Sequence, residues 1–324
     1  MSQDLQQQLS QVAADVEQLR DRVHQRIIGQ DHVVDGLITC LIAGGHGLFV
    51  GVPGLAKTLL VSTVAEASGL SFSRLQFTPD LMPADILGSE VLEEDRSSGS
   101  RSFRFIKGPV FAQLVLADEI NRTPPKTQAA LLQAMQEGRV SVAGKDHDLG
   151  RPFHVFATQN PIEQEGTYPL PEAQLDRFLM QLEVHYPSAE EERRIAALSD
   201  ADLAAPIAPV WSSERLLAIQ TMVEAIAVDE TVVDAAVALV RRSRPEPGAD
   251  DLVQQYLRWG AGPRASRFLV RAARARALMA GRPAADLGDL RALAPAVLGH
   301  RLIPNFKAES EGLTGAILAQ RLIA

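Results

Sequence analysis

The sequence predicts an α/β core, a mostly parallel sheet sandwiched by helices, followed by a smaller all-helical domain. Three observations carry this expectation. Gly47-Leu-Phe-Val50, Leu114-Val-Leu-Ala117 and His154-Val-Phe-Ala157 are short, nearly continuous apolar runs, as expected of strands buried on both faces. Each run ends at a polar cluster: a glycine loop, Asp118-Glu119, and Thr158-Gln-Asn160. In open parallel sheets, ligands bind at the carboxyl ends of the strands. After Tyr186-Pro187 the composition turns to Ala, Leu, Arg and Glu with helical periodicity, cut by Ala205-Pro-Ile-Ala-Pro209 and Arg244-Pro-Glu-Pro-Gly248. The boundary is therefore placed at residue 187, giving a core over 1–187 and a second domain over 188–324.

Taken in chain order, Leu5, Leu9, Val12, Val16, Leu19 and Val23 recur at steps of four and three on a Gln-rich background. This is an amphipathic helix, expected to pack on the domain body or a neighbouring subunit rather than to form a coiled-coil arm. Cys40 lies in an apolar stretch and reads as a core thiol; a single cysteine allows no internal disulfide and no Cys-rich metal site. No basic segment followed by an apolar one opens the chain, so no signal peptide is expected. The most apolar window, Val33 to Val50, is broken by Asp35, His46 and glycines, so no membrane insertion is expected and the chain reads as cytoplasmic. The 324 residues can bury a core without covalent staples. A net charge of -8 weighs against nucleic acid as a partner, because phosphate neutralisation needs clustered cations. The seven histidines are scattered, without metal-ligand spacing.

The first apolar run leads into Gly51-Val-Pro-Gly-Leu-Ala-Lys-Thr58, and the helical pattern starting at Leu59 follows. The phosphate-loop template, Gly, four residues, Gly-Lys-Ser/Thr, is met except at Ala56, which stands where the second Gly belongs. Alanine is small enough to serve there if the backbone does not require positive φ. Gly51, Pro53, Gly54, Leu55, Ala56, Lys57, Thr58 and Leu59 are thus the expected cradle for ATP, formed by loop amides and a helix N-terminus. Lys57 is expected to reach the β/γ-phosphates and Thr58 to coordinate Mg²⁺. Asp118 and Glu119 end a buried run, where paired carboxylates are costly without a purpose. Asp118 is expected to hold Mg²⁺ through its water shell, and Glu119 to align the attacking water as general base.

The order phosphate loop, Ala-Asp-Glu-Ile-Asn-Arg122, Ala-Thr-Gln-Asn-Pro161 and Leu-Pro-Glu-Ala-Gln-Leu-Asp-Arg-Phe178 resembles the MoxR family of AAA+ ATPases. Gly260-Ala-Gly-Pro-Arg-Ala265 and Val297-Leu-Gly-His-Arg301 continue the resemblance, which runs from about Ile27 and departs at Gly262, where a serine is expected. The resemblance implies an AAA+ P-loop core with a helical lid, and homo-oligomeric rings, commonly hexamers, with ATP bound between subunits. It implies that Asn160 senses the γ-phosphate and orients water. By the same resemblance, Arg177 matches the arginine supplied in trans to the neighbour's ATP, with Arg122 as its competitor. The resemblance also makes Arg264 the match to the lid arginine that touches the γ-phosphate; its place after Pro263 at a helix start opposes the helix dipole and calls for an anion. Ile28, Gly29 and Gln30 match the segment that lines the adenine pocket.

Two hairpins are expected within the core. One lies between Ile86 and Gly108 around the polar run Glu93 to Gly99, and one runs over 139–149, turning at Ala143-Gly144. The family implies that such hairpins often face a ring's central pore. The expected function is a Mg²⁺-dependent ATPase acting as a ring-forming, chaperone-like remodeller of protein partners, typically ones with a von Willebrand A domain. The alternatives are a nucleic-acid motor, a chelatase-type subunit and a nucleotide-gated scaffold with slow turnover. The mixed charges of Lys145, Asp146 and Asp148 make the second hairpin a poor phosphate tracker.

Overall fold

Alternating apolar runs and helical segments build the first part of the chain. The computed structural model describes residues 3–94, 101–162 and 166–323. The elements are α1 (Gln3–Val23), α2 (Asp31–Ile42), β1 (Gly47–Val50), α3 (Lys57–Ala67), β2 (Phe72–Gln76), α4 (Pro83–Leu87), β3 (Gly88–Glu94) and β4 (Arg101–Lys107). They continue with β5 (Leu114–Asp118), α5 (Pro125–Glu137), β6 (Arg139–Val142), β7 (Lys145–Asp148), β8 (His154–Gln159), α6 (Glu172–Leu175) and β9 (Met180–Glu183).

Five strands pair in the order β2-β5-β8-β1-β9, every pair parallel. The three apolar runs read from the sequence are the three central strands. The pleat explains their continuity. Phe49, Leu114, Leu116 and Phe156 point into one apolar cluster, while Leu48, Val115, Ala117, Val155 and Ala157 point into another on the opposite face. Both faces are covered, so both sets must be apolar. The two outer strands, β2 and β9, were not marked by any continuous run. Val50 stands opposite Gln159, and Gln76 opposite Asp118, so the polar strand ends lie along one rim of the sheet.

The stripe on α1 packs on its own domain: Leu9, Val12, Val16, Leu19 and Val23 are buried in the larger cluster. Asp15 Oδ2 ties the helix to Arg215 at 2.7 Å. At the opposite rim of the sheet, His154 Nδ1 donates to Gly45 O at 2.8 Å, and His46 Nε2 donates to Met135 O at 3.2 Å. Burial, foremost, pushes these histidines down to about 3 for His46 and about 4 for His154. Cys40 is buried, which raises its thiol pKa.

Both expected hairpins form. β3 and β4 pair antiparallel; the polar run's residues 95–100 lie outside the described residues. β6 and β7 turn at Ala143 (φ 50) and Gly144 (φ 79), two left-handed residues as a tight two-residue hairpin requires. The hairpins lean on each other: Lys145 Nζ is 2.9 Å from Glu90 Oε1, and the Phe105 and His147 rings stack at 3.8 Å.

Behind the sheet come α7 (Ala189–Ala196), α8 (Asp200–Ala204), α9 (Ser213–Ala225), β10 (Ala227–Val228), α10 (Glu230–Arg242), α11 (Asp251–Tyr256) and β11 (Leu257–Trp259). Next are α12 (Pro263–Met279), β12 (Ala284–Ala285), α13 (Leu287–Leu298), β13 (Ile303–Pro304), α14 (Phe306–Ser310) and α15 (Gly315–Ile323). This part of the chain is mostly helical and ends in a helical lid; its loops are pinned by two minimal strand pairs, β10 with β12 and β11 with β13. A buried arginine fastens lid to core. Arg301 Nε donates to Asp176 Oδ1 at 2.8 Å, and its Nη2 donates to the Asp176 and Phe178 carbonyls at 2.9 and 2.5 Å. Among the described residues no helix is long and apolar enough to cross a membrane.

Candidate active site

The loop after β1 is shaped by contacts and torsions that few residues tolerate. A Cβ on Gly51 would sit 2.6 Å from the Val184 carbonyl oxygen, so the first loop position has no room for a side chain. Gly54 has open space around it but a φ of 83, which glycine alone adopts without strain. The expectation for Ala56 is corrected: its φ is 53, in the left-handed region, at the residue capping α3. The chain must turn there to aim its amides inward, and for alanine this costs roughly 1–2 kcal/mol. Such strain persists where surrounding structure over-determines it, as at functional loops.

Lys57 Nζ donates to the carbonyls of Gly51 and Val52, at 2.5 and 2.9 Å. Burial lowers its pKa, against the opposing pull of Asp118 and Glu119. Thr58 Oγ1 donates to Asp118 Oδ2 at 3.3 Å. Asp118 is fixed from its other side by Thr158, whose hydroxyl donates to Oδ1 at 2.7 Å and accepts the Glu119 amide at 2.8 Å. Glu119 is itself left-handed, with φ 56, which turns its carboxylate out of the strand. There Gln76 Nε2 donates to Glu119 Oε2 at 3.0 Å and Arg122 Nη1 at 3.1 Å. Residues Pro53 to Leu59, Arg74, Asp118, Glu119, Thr158 and Asn160 line a cleft of about 440 Å³. Asn160 Oδ1 accepts from the Ile162 amide at 3.1 Å, so its NH₂ is the end with protons to give.

The remaining expected residues lie elsewhere. Ile28, Gly29 and Gln30 are not among the residues lining this cleft. Gln30 donates to the His185 carbonyl at 2.7 Å, and a Cβ on Gly29 would meet the Glu191 carboxylate, so the segment packs against the chain leaving β9. Among the described residues, neither Arg177 nor Arg264 lines the cleft. Arg177 Nη1 donates to the Leu132 carbonyl at 2.5 Å. Arg264 Nη1 is 3.1 Å from Asp176 Oδ2, the anion that its helix-start position calls for. Arg177 follows Asp176 in the chain, but its guanidinium is bound at Leu132 on α5. Arg122 pairs with Glu119 of its own chain.

Three contributors to this site had no role assigned from the sequence. Arg74 and Gln76 reach it from β2, and the Thr158 hydroxyl links the two carboxylates. The available signal for the first two was only that Arg74 and Gln76 stand two apart around the apolar Leu75. Thr158 is the first polar residue after the apolar run of β8 and stands in the Ala-Thr-Gln-Asn-Pro161 motif.

A Mg²⁺ ion is normally bound by one or two protein oxygens, with nucleotide phosphates and water completing its shell. Thr58 Oγ1 and Asp118 Oδ2 form such a partial set, so the donor chemistry fits.

A strained glycine loop feeding a helix, a carboxylate pair on the adjacent strand and a helical lid define a P-loop ATPase of the AAA class. The match to the ATPase family associated with various cellular activities over residues 46–180, and to the AAA lid domain over 249–320, agrees with this. Chaperone MoxR1 of Mycobacterium tuberculosis is 43% identical over 93% of this chain and 79% of its own length. Protein MoxR of Methylorubrum extorquens is 31% identical over 86% of this chain and 85% of its own. A crystal structure described as an ATPase from Cytophaga hutchinsonii superposes with a TM-score of 0.88 at 36% identity, covering 98% of this chain and 96% of that one. The chain belongs to the MoxR family of AAA+ ATPases. It binds nucleotide and hydrolyses ATP.

Proposed function

We propose that this protein works as a homo-oligomeric ring, with six subunits as the expected number, in which Mg²⁺-dependent ATP hydrolysis remodels protein partners. The supporting observation is the separation of the arginines from the cleft. Glu119 and Asn160 stand at the cleft, whereas Arg177 is held by the Leu132 carbonyl and Arg264 by Asp176, both outside the cleft lining. An arginine that stabilises transition-state charge is worth on the order of 10³ to 10⁵ in rate. A subunit that keeps its own Arg177 away from its own phosphates gains that factor from a neighbour, while Arg264 is the lid arginine that reaches the γ-phosphate. Arg122, engaged by its own Glu119, is the weaker candidate for that role.

In this reading, Thr58 and Asp118 hold the cation, which supplies charge neutralisation at the phosphates. Lys57 leaves its loop carbonyls for the phosphate oxygens. Glu119 accepts the proton of the attacking water, and Asn160 orients it by donating from its NH₂. The segment Ile28 to Gln30 closes on the adenine. We take residues 1–187 as the ATPase core and 188–324 as the lid, and we place the protein in the cytoplasm. The partners we propose are proteins with a von Willebrand A domain, bound by the two leaning hairpins. Both cations of the second hairpin are paired with carboxylates, Lys145 with Glu90 and Arg139 with Asp146, which weighs against a nucleic-acid backbone as partner. The test is analytical ultracentrifugation with and without a non-hydrolysable ATP analogue and Mg²⁺. A hexamer supports the reading; a monomer at every concentration overturns it.

A further inference from the structure

The carboxylate expected to hold the metal carries a guanidinium that no motif announces. In Phe72-Ser-Arg-Leu-Gln76, Arg74 and Gln76 share one face of β2 while Leu75 is buried on the other. Because β2 lies beside β5 with Gln76 opposite Asp118, Arg74 reaches along the sheet to that aspartate. Its Nη2 and Nε both donate to Asp118 Oδ2, at 2.6 and 3.1 Å, and Nη2 also donates to Gln76 Oε1 at 2.5 Å.

The choice of oxygen matters. Oδ1 is committed to Thr158 on the inner side, whereas Oδ2 faces Thr58 at 3.3 Å and is the oxygen a cation beside Thr58 would use. Arg74 and the cation therefore seek the same lone pairs, and their charges repel. The surroundings sharpen the competition: the Asp118 side chain is 12% exposed, so the pair is screened less than one in open water. Arg74 itself is 47% exposed and can leave without opening the core. It also lines the phosphate cleft, where its planar fork suits phosphate oxygens as an alternative partner.

We propose that Arg74 is a positioning residue that competes with Mg²⁺ for Asp118 Oδ2 and so sets the Mg²⁺ concentration at which nucleotide is held tightly. This rests on the Mg²⁺-dependent reading of the site. As the cation takes Oδ2, the guanidinium turns to the phosphates, so metal arrival and phosphate capture by Arg74 are one coupled step. Asp118 always has a positive partner, and the two partners exclude each other.

The experiment titrates Mg²⁺, from an EDTA-buffered zero, into the full chain mixed with a fluorescent non-hydrolysable ATP analogue, so that no turnover enters the readout. The Mg²⁺–nucleotide equilibrium in solution is common to all samples and cancels between proteins. Arg74→Gln removes the competitor and lowers the Mg²⁺ midpoint by roughly threefold to tenfold, the scale of one partly exposed charged hydrogen-bond pair. At saturating Mg²⁺ the same variant binds the analogue more weakly, because the phosphate contact is gone. Arg74→Lys keeps the charge and moves the midpoint back toward wild type. Opposite signs for midpoint and affinity are what simple damage to the fold cannot produce. A midpoint equal to or above wild type in Arg74→Gln overturns the competition. A wild-type curve flat in Mg²⁺ overturns the metal reading itself, and the proposal with it.

Discussion

Replacing Asp176 tests whether the lid is fastened to the core through a buried charge. The Arg301 side chain is 2% exposed, and Asp176 Oδ1 accepts from its Nε at 2.8 Å. Burial, foremost, lowers Arg301 only to about 10, so it stays a cation at neutral pH. Asp176→Ala removes one charged hydrogen bond, worth about 1.5–3 kcal/mol. Stranding a buried charge altogether costs about 3–5 kcal/mol. Arg301 is not stranded altogether, because the carbonyls of Asp176, Phe178 and Val297 still accept from it. The second bridge, Arg264 to Asp176 Oδ2, is half-exposed and contributes under about 1 kcal/mol. The expected loss is therefore about 2–3 kcal/mol for Asp176→Ala, and about 1–2 kcal/mol for Asp176→Asn, which keeps an acceptor. Urea unfolding followed by the fluorescence of buried Trp211 reads the difference. ATPase activity falls further than stability explains, because Arg177 is the next residue and Arg264 loses its anchor. A loss below about 0.5 kcal/mol in Asp176→Ala, the size of an ordinary surface substitution, refutes the joint.

Three further outcomes follow from the same geometry. Ala56→Gly relieves about 1–2 kcal/mol of left-handed strain and restores about 0.5–1 kcal/mol of unfolded-chain entropy, so it raises stability by about 0.5–1 kcal/mol; a lower melting temperature contradicts the torsion assigned to Ala56. His46 and His154 are held neutral down to about 3 and about 4, against an unfolded value near 6.5. The unfolded chain binds more protons below pH 6.5, so stability is full above that pH and declines as pH falls toward 4, by up to about 2 kcal/mol per histidine at pH 5. Urea midpoints at pH 7.5 and 5.0 check this, and His154→Gln flattens the profile; an unchanged midpoint at pH 5.0 contradicts it. Excess EDTA abolishes hydrolysis, and Thr58→Ala raises the Mg²⁺ needed for half-maximal rate; hydrolysis that persists in EDTA removes the cation from the account.

What could be read from the residues follows from how local the cause is. β1, β5 and β8 were legible because burial on both faces leaves an uninterrupted apolar run. The β6–β7 hairpin was legible because Ala143-Gly144 supplies its own turn chemistry. β2 was not, since an edge strand with Arg74 and Gln76 on one face shows only a weak alternation. The roles of those residues were less legible still: they depend on β2 lying beside β5, a pairing across some forty positions of chain that no short window contains. Arg301 read as part of a family pattern, but its burial and its grip on Asp176 depend on the lid folding back on the core. At Ala56 the residue type misled, because a side chain that small still carries the Cβ that disfavours a left-handed torsion. Asp118, Glu119 and the phosphate loop were legible as chemistry because each stands directly at a strand end.

The central claim is that the catalytic site is shared between subunits. Steady-state ATPase rate against protein concentration, for wild type, Glu119→Gln, Arg177→Ala and their mixture, tests it most directly. A shared site predicts that specific activity rises with concentration. It also predicts that Glu119→Gln loses about 10²- to 10⁴-fold and Arg177→Ala about 10³- to 10⁵-fold, and that mixing the two variants restores part of the rate. Concentration-independent activity with Arg177→Ala at the wild-type rate contradicts it, and leaves each subunit hydrolysing ATP on its own.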